Sequence, residues 1–333
     1  MRSVAGAIVV SLLSAACANL SGLSGGKGDA GQEAATPTVL FGGFTATTDT
    51  IDGTPLGDTW SFDGTRWKNL NPPGAPSARD GAGATAFQGA MLLFGGLDAG
   101  DNWLNDTWEW KDGGWAQLDD GASVAPSPRV FPALAVLGPS AVLFGGYDGN
   151  LDQNDTWTWN GSQWTELHPA HAPSIRDCPA IGAVNGKIVL FGGETGTTTT
   201  TDLGDTWTWD GTDWTEMHPA HSPSLRSFSG AAIAAGTDVL VLFGGADHAH
   251  GTTLGDTWTW NGTDWTELHP ATSPGERSRP MLSATATGAL LFGGGNALGT
   301  VAFSDSWLWN GASWSQVLTT GPAARGVGAL VTP

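Results

Sequence analysis

The stretch LGDTWTWDGTDW at residues 203–214 decides how this chain is read, because five variants of it occur elsewhere. They are LGDTWSFDGTRW at 56–67, LNDTWEWKDGGW at 104–115, QNDTWTWNGSQW at 153–164, LGDTWTWNGTDW at 254–265 and FSDSWLWNGASW at 303–314. Seventeen of the eighteen tryptophans lie inside these copies, and only Trp103 lies outside. In each copy the paired aromatics are separated by one residue, which puts them on one face of a strand. The Asn-Gly or Asp-Gly that follows is a tight-hairpin signal.

Upstream of each copy is an apolar segment ending in Phe-Gly-Gly, at Leu40, Leu93, Leu143, Leu190, Leu242 and Leu291, spaced by about 50 residues. It is apolar without alternation, as expected of a strand covered on both faces. Further upstream, Arg79, Arg129, Arg176, Arg226 and Arg277 open another short segment. Each unit therefore holds four strands, at a period that suits a propeller blade.

The apolar-Phe-Gly-Gly segment, the later Trp and the Pro-x-x-Arg start resemble the kelch repeat of galactose oxidase-like propellers, over residues 38–333. The resemblance implies an all-β fold, a six-bladed β-propeller of four-stranded antiparallel blades, labelled A to D from the axis outward. The first unit lacks an opening strand, and residues 323–331 form an opening strand with no unit after it. The C-terminal strand is expected to complete the N-terminal blade, which pairs two otherwise open edges.

Residues 1–17 read as an export signal, with Arg2 before an apolar stretch and then small residues. Ser14-Ala15-Ala16-Cys17 resembles a bacterial lipobox, with Cys17 as the lipidation site, although Leu13 stands one position too early. Ala16-Cys17-Ala18 also fits a cleavage site that would discard the cysteine. Residues 18–36 form a Gly, Ser and Ala-rich tether, and 37–333 the propeller. The expected place is the cell envelope or outer surface through a lipid anchor, with soluble secretion as the alternative. A monomer is expected. With Cys178 the only other cysteine, no structural disulfide is expected. The net charge of −19 argues against nucleic acid and against anionic lipid.

Antiparallel order places A–B and C–D turns on one face, and B–C and D–A loops on the other. The C–D turns are alike, whereas the B–C loops differ in length and chemistry, so the second face is the candidate binding face. What repeats is read as scaffold. Arg79, Arg129, Arg176, Arg226, Arg277 and Arg325 are expected to pair with Asp58, Asp106, Asp155, Asp205, Asp256 and Asp305, since buried charge needs a partner. What breaks the repeat is read as function. Asp98, Asp101, Trp103, Tyr147, Asp148, Asp152 and Arg279 are candidate contacts for a protein or carbohydrate partner. The oxygen-rich loops around Asp98 and Asp148 suit calcium. His221, Asp247, His248 and His250 could converge as a zinc or copper site. Galactose oxidase chemistry needs a tyrosine–cysteine copper centre, and the single tyrosine, Tyr147, lies in a different unit from Cys178. The function expected is therefore a binding module; the alternatives are a mutarotase-like sugar-converting enzyme on the same face and a surface structural protein without a small ligand.

Overall fold

The computed structural model describes residues 36–45, 53–196, 200–234, 237–296 and 301–333; the leader, Cys17 and nearly all of the tether lie outside them. The fold is all-β, with six four-stranded antiparallel blades. Blade 4 is typical: Ala180–Val184, Lys187–Phe191, Thr206–Trp209 and Trp214–Met217 pair in sequence order. In blade 1 the C-terminal strand Ala329–Val331 pairs with Thr38–Phe41, in the register Val39 to Val331 and Phe41 to Ala329. The inner strands neighbour one another cyclically, Ala329–Val331 touching both Gly83–Phe87 of blade 2 and Met281–Thr285 of blade 6. The ring closes as the count of strands requires.

The unbroken apolar runs have a direct explanation in this packing. Val39 and Phe41 pack with Met91 and Leu93 of blade 2, while Leu40 packs with Leu290 and Phe292 of blade 6. Strand B is sandwiched between two blades, so both of its faces must be apolar. The core is accordingly six layers, one between each pair of neighbours.

The repeated tryptophans divide into three jobs. The first in each copy donates its indole N–H to the aspartate two residues earlier, as Trp157 does to Asp155 at 2.7 Å. The second stacks on the third across the hairpin, as in Trp159 and Trp164. The third reaches back into the preceding blade. Trp164 donates to Thr107 Oγ1 and sits edge-on to Phe94. The same pair of contacts recurs in every blade and crosses the closure, where Trp67 donates to Ser306 and packs on Phe292.

All six arginines are buried and each forms a bidentate pair with the predicted aspartate, as Arg129 does with Asp155 at 2.6 and 2.8 Å. Each also donates to the carbonyl of the first glycine of Phe-Gly-Gly, as Arg129 does to Gly145. That glycine is left-handed, and a Cβ on Gly145 would lie 2.5 Å from the Arg176 carbonyl oxygen of the next blade. The following amide, Gly146 N–H, donates to that same carbonyl at 2.9 Å. Arginine, aspartate and diglycine are one inter-blade joint, and none of the six guanidinium groups is left over to take a ligand.

Candidate functional site

Two residues past each of these arginines the backbone turns left-handed. The residues are Gly81, Phe131, Cys178, Phe228, Arg279 and Val327, with φ between 46° and 64°. Five of them carry side chains, at about 1–2 kcal/mol each for the unfavourable backbone. Backbone hydrogen bonds link them around the axis: Gly81 N–H to Val327, Phe131 to Gly81, Cys178 to Phe131, Phe228 to Cys178 and Arg279 to Phe228, at 2.6–3.2 Å. The ring stands at the strand A entrances, on the side of the B–C loops, and its six residues line an axial cavity of about 230 Å³.

Arg279 is the only charged member. Its guanidinium carbon lies 4.1 Å from the centroid of Phe228, a cation–π contact. Burial pulls its pKa below the ordinary value, and the carboxylates of Glu194, Asp177 and Asp80 act in the opposite sense. Arginine keeps its charge under such a shift. Among the described residues it has no carboxylate within ion-pair distance. Asp80, one residue before the ring in blade 2, is pushed up to about 6 by burial, against the attraction of Arg279.

Just outside the ring, each blade sets three residues directly opposite one another on strands A, B and C. The rows are Gly326–Phe44–Pro55, Asp80–Leu97–Trp103, Val130–Tyr147–Asp152, Asp177–Glu194–Asp202, Ser227–Ala246–Thr253 and Ser278–Gly295–Ala302. Opposite residues share a face of the sheet, and only blade 4 puts three acids there. Ser227 of blade 5 donates to Glu194 Oε2 at 2.8 Å and to Asp202 Oδ1 at 2.9 Å. His248, from the B–C loop of blade 5, brings Nδ1 to 3.0 Å from Asp202 Oδ1 and 3.3 Å from Glu194 Oε2. Burial, with repulsion from Glu194 and Asp152, pushes Asp177 up to about 8. Burial also raises Glu194 and drives the neighbouring Cys178 thiol well up. The bond to Asp202 raises His248.

Of the residues expected to matter, several are brought together. Trp103 meets Tyr147 of the next blade edge-on, with ring centroids 5.4 Å apart, and covers Gly149. Asp152 is buried and accepts from Thr195 Oγ1 and from Gly196 N–H across the next blade boundary. Asp98 and Asp148 instead cap their own loops, accepting from Gly100 and Asn102 and from Asn150, Leu151 and Gln153. Those N–H groups occupy the oxygens a calcium loop would present. Asp101 holds a left-handed turn at φ 59°.

The histidine set expected as a zinc or copper site is not assembled. His221 binds Asp264 through both its backbone N–H and Nδ1, and His250 pairs with Asp247 at 2.7 Å. The reason is the path of the D–A connections, which run past the outer hairpin of the following blade before turning inward. His171 shows the same path on Asp213, and Thr272 on Trp314. Only His248 of the four reaches the acids of blade 4. Asp80, Asp177, Glu194, Asp202, Ser227 and Phe228 were absent from the expected set. Stacking the six units on the position after Arg, the position after Gly-Gly and the position three before Asp would have exposed the acidic row.

Six blades around an axial cavity, each tied by its own Arg–Asp pair and joined to the next by glycine N–H to arginine carbonyl bonds and Trp–Phe contacts, define a β-propeller with its irregular chemistry at one mouth. The chain belongs to the kelch-repeat family: the model described as the KLHDC2/KLHL20/DRC7 Kelch-repeats domain matches residues 33–193 and 133–332. A search of the curated proteins finds no match.

Proposed function

We propose that this kelch propeller is an exported, lipid-anchored binding module that holds a protein or carbohydrate partner on its B–C and D–A loop face, anchored at the axial mouth. Kelch propellers are typically protein-interaction modules. The observation that carries the reading is Arg279: a cation held at the axis by a left-handed backbone, stacked on Phe228 and without an ion-pair partner among the described residues. Every arginine of the repeat is satisfied by its own aspartate, so this extra one is available for a ligand acceptor. The Trp103–Tyr147 pair, outside the ring on blades 2 and 3, offers an aromatic surface of the kind that covers a sugar face or an apolar side chain. The galactose oxidase-like resemblance is then one of scaffold, since Tyr147 is engaged with Trp103 and Cys178 is a buried ring member.

The test is a screen of the full chain against glycan and peptide libraries, repeated with Arg279→Ala and with the outer-strand control Glu166→Ala. Loss of the hits with the first variant and retention with the second is expected; hits that survive Arg279→Ala overturn the reading. The anchor is read separately by intact mass of the membrane-extracted protein, where an acylated Cys17 is expected and an unmodified or absent Cys17 contradicts it. The sugar-converting alternative draws on one observation, the carboxyl groups of Asp80 and Asp177 raised into the range of a general acid or base. Proton exchange spectroscopy on freshly dissolved sugar anomers would show faster interconversion with the wild type than with Asp80→Asn; equal rates dispose of it.

A further inference from the structure

We propose that the acidic row of blade 4 and His248 of blade 5 form a binding site for one divalent first-row transition-metal ion, zinc or manganese, with Glu194, Asp202 and His248 as ligands and Asp177 beside Glu194 at its edge. The site is separate from the partner-binding anchor at Arg279 and does not depend on it.

The first ground is the unfavourable placement of charge. Like charges directly opposite across a sheet are destabilising, and here three acids from consecutive strands stand side by side. Asp177 and Asp202 are buried, with Glu194 half-buried between them. No other blade does this, so the arrangement is not demanded by the repeat.

The second ground is independent of the first. Asp177 is 7% exposed, and its Oδ1 is buried with no hydrogen-bond partner. The carboxylate adjoins the cluster through Glu194: an oxygen of it lies within 4.8 Å of both a Glu194 oxygen and Cys178 Sγ. A buried acceptor left without a donor costs about 1–3 kcal/mol, more when charged, and a cation removes that cost.

The third ground is spacing and ligand type. The ligand atoms of Glu194, Asp202 and His248 all lie within 4.8 Å of one another, with His248 Nδ1 3.0 and 3.3 Å from the two carboxylate oxygens. Bonds of about 2.0–2.2 Å to a shared ion set ligand atoms roughly 3 Å apart. An ammonium group would need wider spacing, and the imidazole nitrogen disfavours calcium and magnesium, which take oxygen ligands. The three other close histidine–carboxylate pairs each offer a single acid, and their imidazoles are 73–76% exposed.

The test uses the full chain, stripped with chelator, desalted, and titrated calorimetrically with zinc chloride or manganese chloride; bound metal is then counted by mass spectrometry. One equivalent of one of these ions per chain is expected, with a melting temperature that rises with free metal. Glu194→Gln and Asp177→Asn should each weaken binding by at least about tenfold, and the double variant His221→Ala with His250→Ala should bind as wild type. His248→Ala, which alters a partly exposed loop residue, gives the same reading should Asp177→Asn fail to fold. Absence of binding at about 1 mM free metal overturns the proposal, as does unchanged affinity in Glu194→Gln and His248→Ala.

Discussion

Replacing Arg325 with Met tests both the closure of the ring and the worth of its repeating ion pair. Arg325 bonds Asp58 in bidentate fashion across 267 positions of sequence and donates as well to the buried Gly42 carbonyl. Its side chain is 1% exposed and that of Asp58 is 24% exposed. Removing one partner of a buried pair costs about 3–5 kcal/mol. Asp58 retains some water and the Trp60 indole bond, which places the cost near the lower bound, at about 3 kcal/mol. Arg66→Met, in the solvent-exposed pair with Asp63, should cost less than about 1 kcal/mol. Urea unfolding followed by tryptophan fluorescence gives both values.

The pH dependence of that cost has a definite sign. Burial acts to raise Asp58, but the bonds from Arg325 and Trp60 outweigh it and hold the carboxyl below its ordinary value. A depressed carboxyl contributes its stability in full above the unfolded pKa, near 4, and loses it as pH falls below that. The gap between wild type and Arg325→Met should therefore be constant from pH 7 to pH 5 and narrow below about pH 4. A cost at pH 7 no larger than that of Arg66→Met, or a gap that does not narrow in acid, refutes the reasoning.

Three further perturbations bear on the other contacts. Burial holds Asp80 up at about 6, so the folded state keeps an extra proton between about pH 4 and pH 6 and loses stability as pH rises through that window. Asp80→Asn should leave the urea midpoint unchanged at pH 4 and raise stability at pH 7 by about 1–3 kcal/mol; an equal effect at both pH values contradicts this. Trp164→Phe keeps an aromatic against Phe94 but removes the donor to Thr107. It should cost about 1–2 kcal/mol, against about 3–5 for Trp164→Ala, and equal costs would remove the staple from the explanation. Gly145→Ala introduces both a left-handed alanine and a contact with the Arg176 carbonyl. It should lower the melting temperature more than Gly161→Ala, a left-handed hairpin glycine whose added Cβ would meet Gln88 and Phe87 only at 3.6–3.8 Å, ordinary contact distance.

The scaffold was readable because it repeats. Six copies of Asp-Thr-Trp and six of Phe-Gly-Gly fix strands C and B, and the surplus opening strand at Arg325 dictates closure. The Arg–Asp pairing followed from the cost of burying charge, which has few solutions when both residues recur once per blade. The site was only half legible. Arg279 stood out as a charge in excess of the repeat, but its position on the axis depends on a left-handed backbone that chemistry alone would not assign to an arginine. Asp177, Glu194 and Asp202 lie far apart in sequence and become neighbours only when strands A, B and C are put in register. His221 was misplaced because the D–A connection follows the outer hairpin of the next blade, a path set by how the blades pack rather than by any local signal. Asp98 and Asp148 look like cation ligands in sequence, whereas in three dimensions their own loop amides take the oxygens.

If the symmetric parts build the ring and the asymmetric mouth does the binding, hydrogen–deuterium exchange with a ligand from the library screen shows it most directly. Protection is expected at Asp80, Asp177 and Arg279 and in the B–C loops containing Trp103 and Tyr147. Protection confined to the C–D hairpins, at Asp63–Arg66, Asn160–Gln163 and Asn261–Asp264, would place the function on the opposite, repeating side.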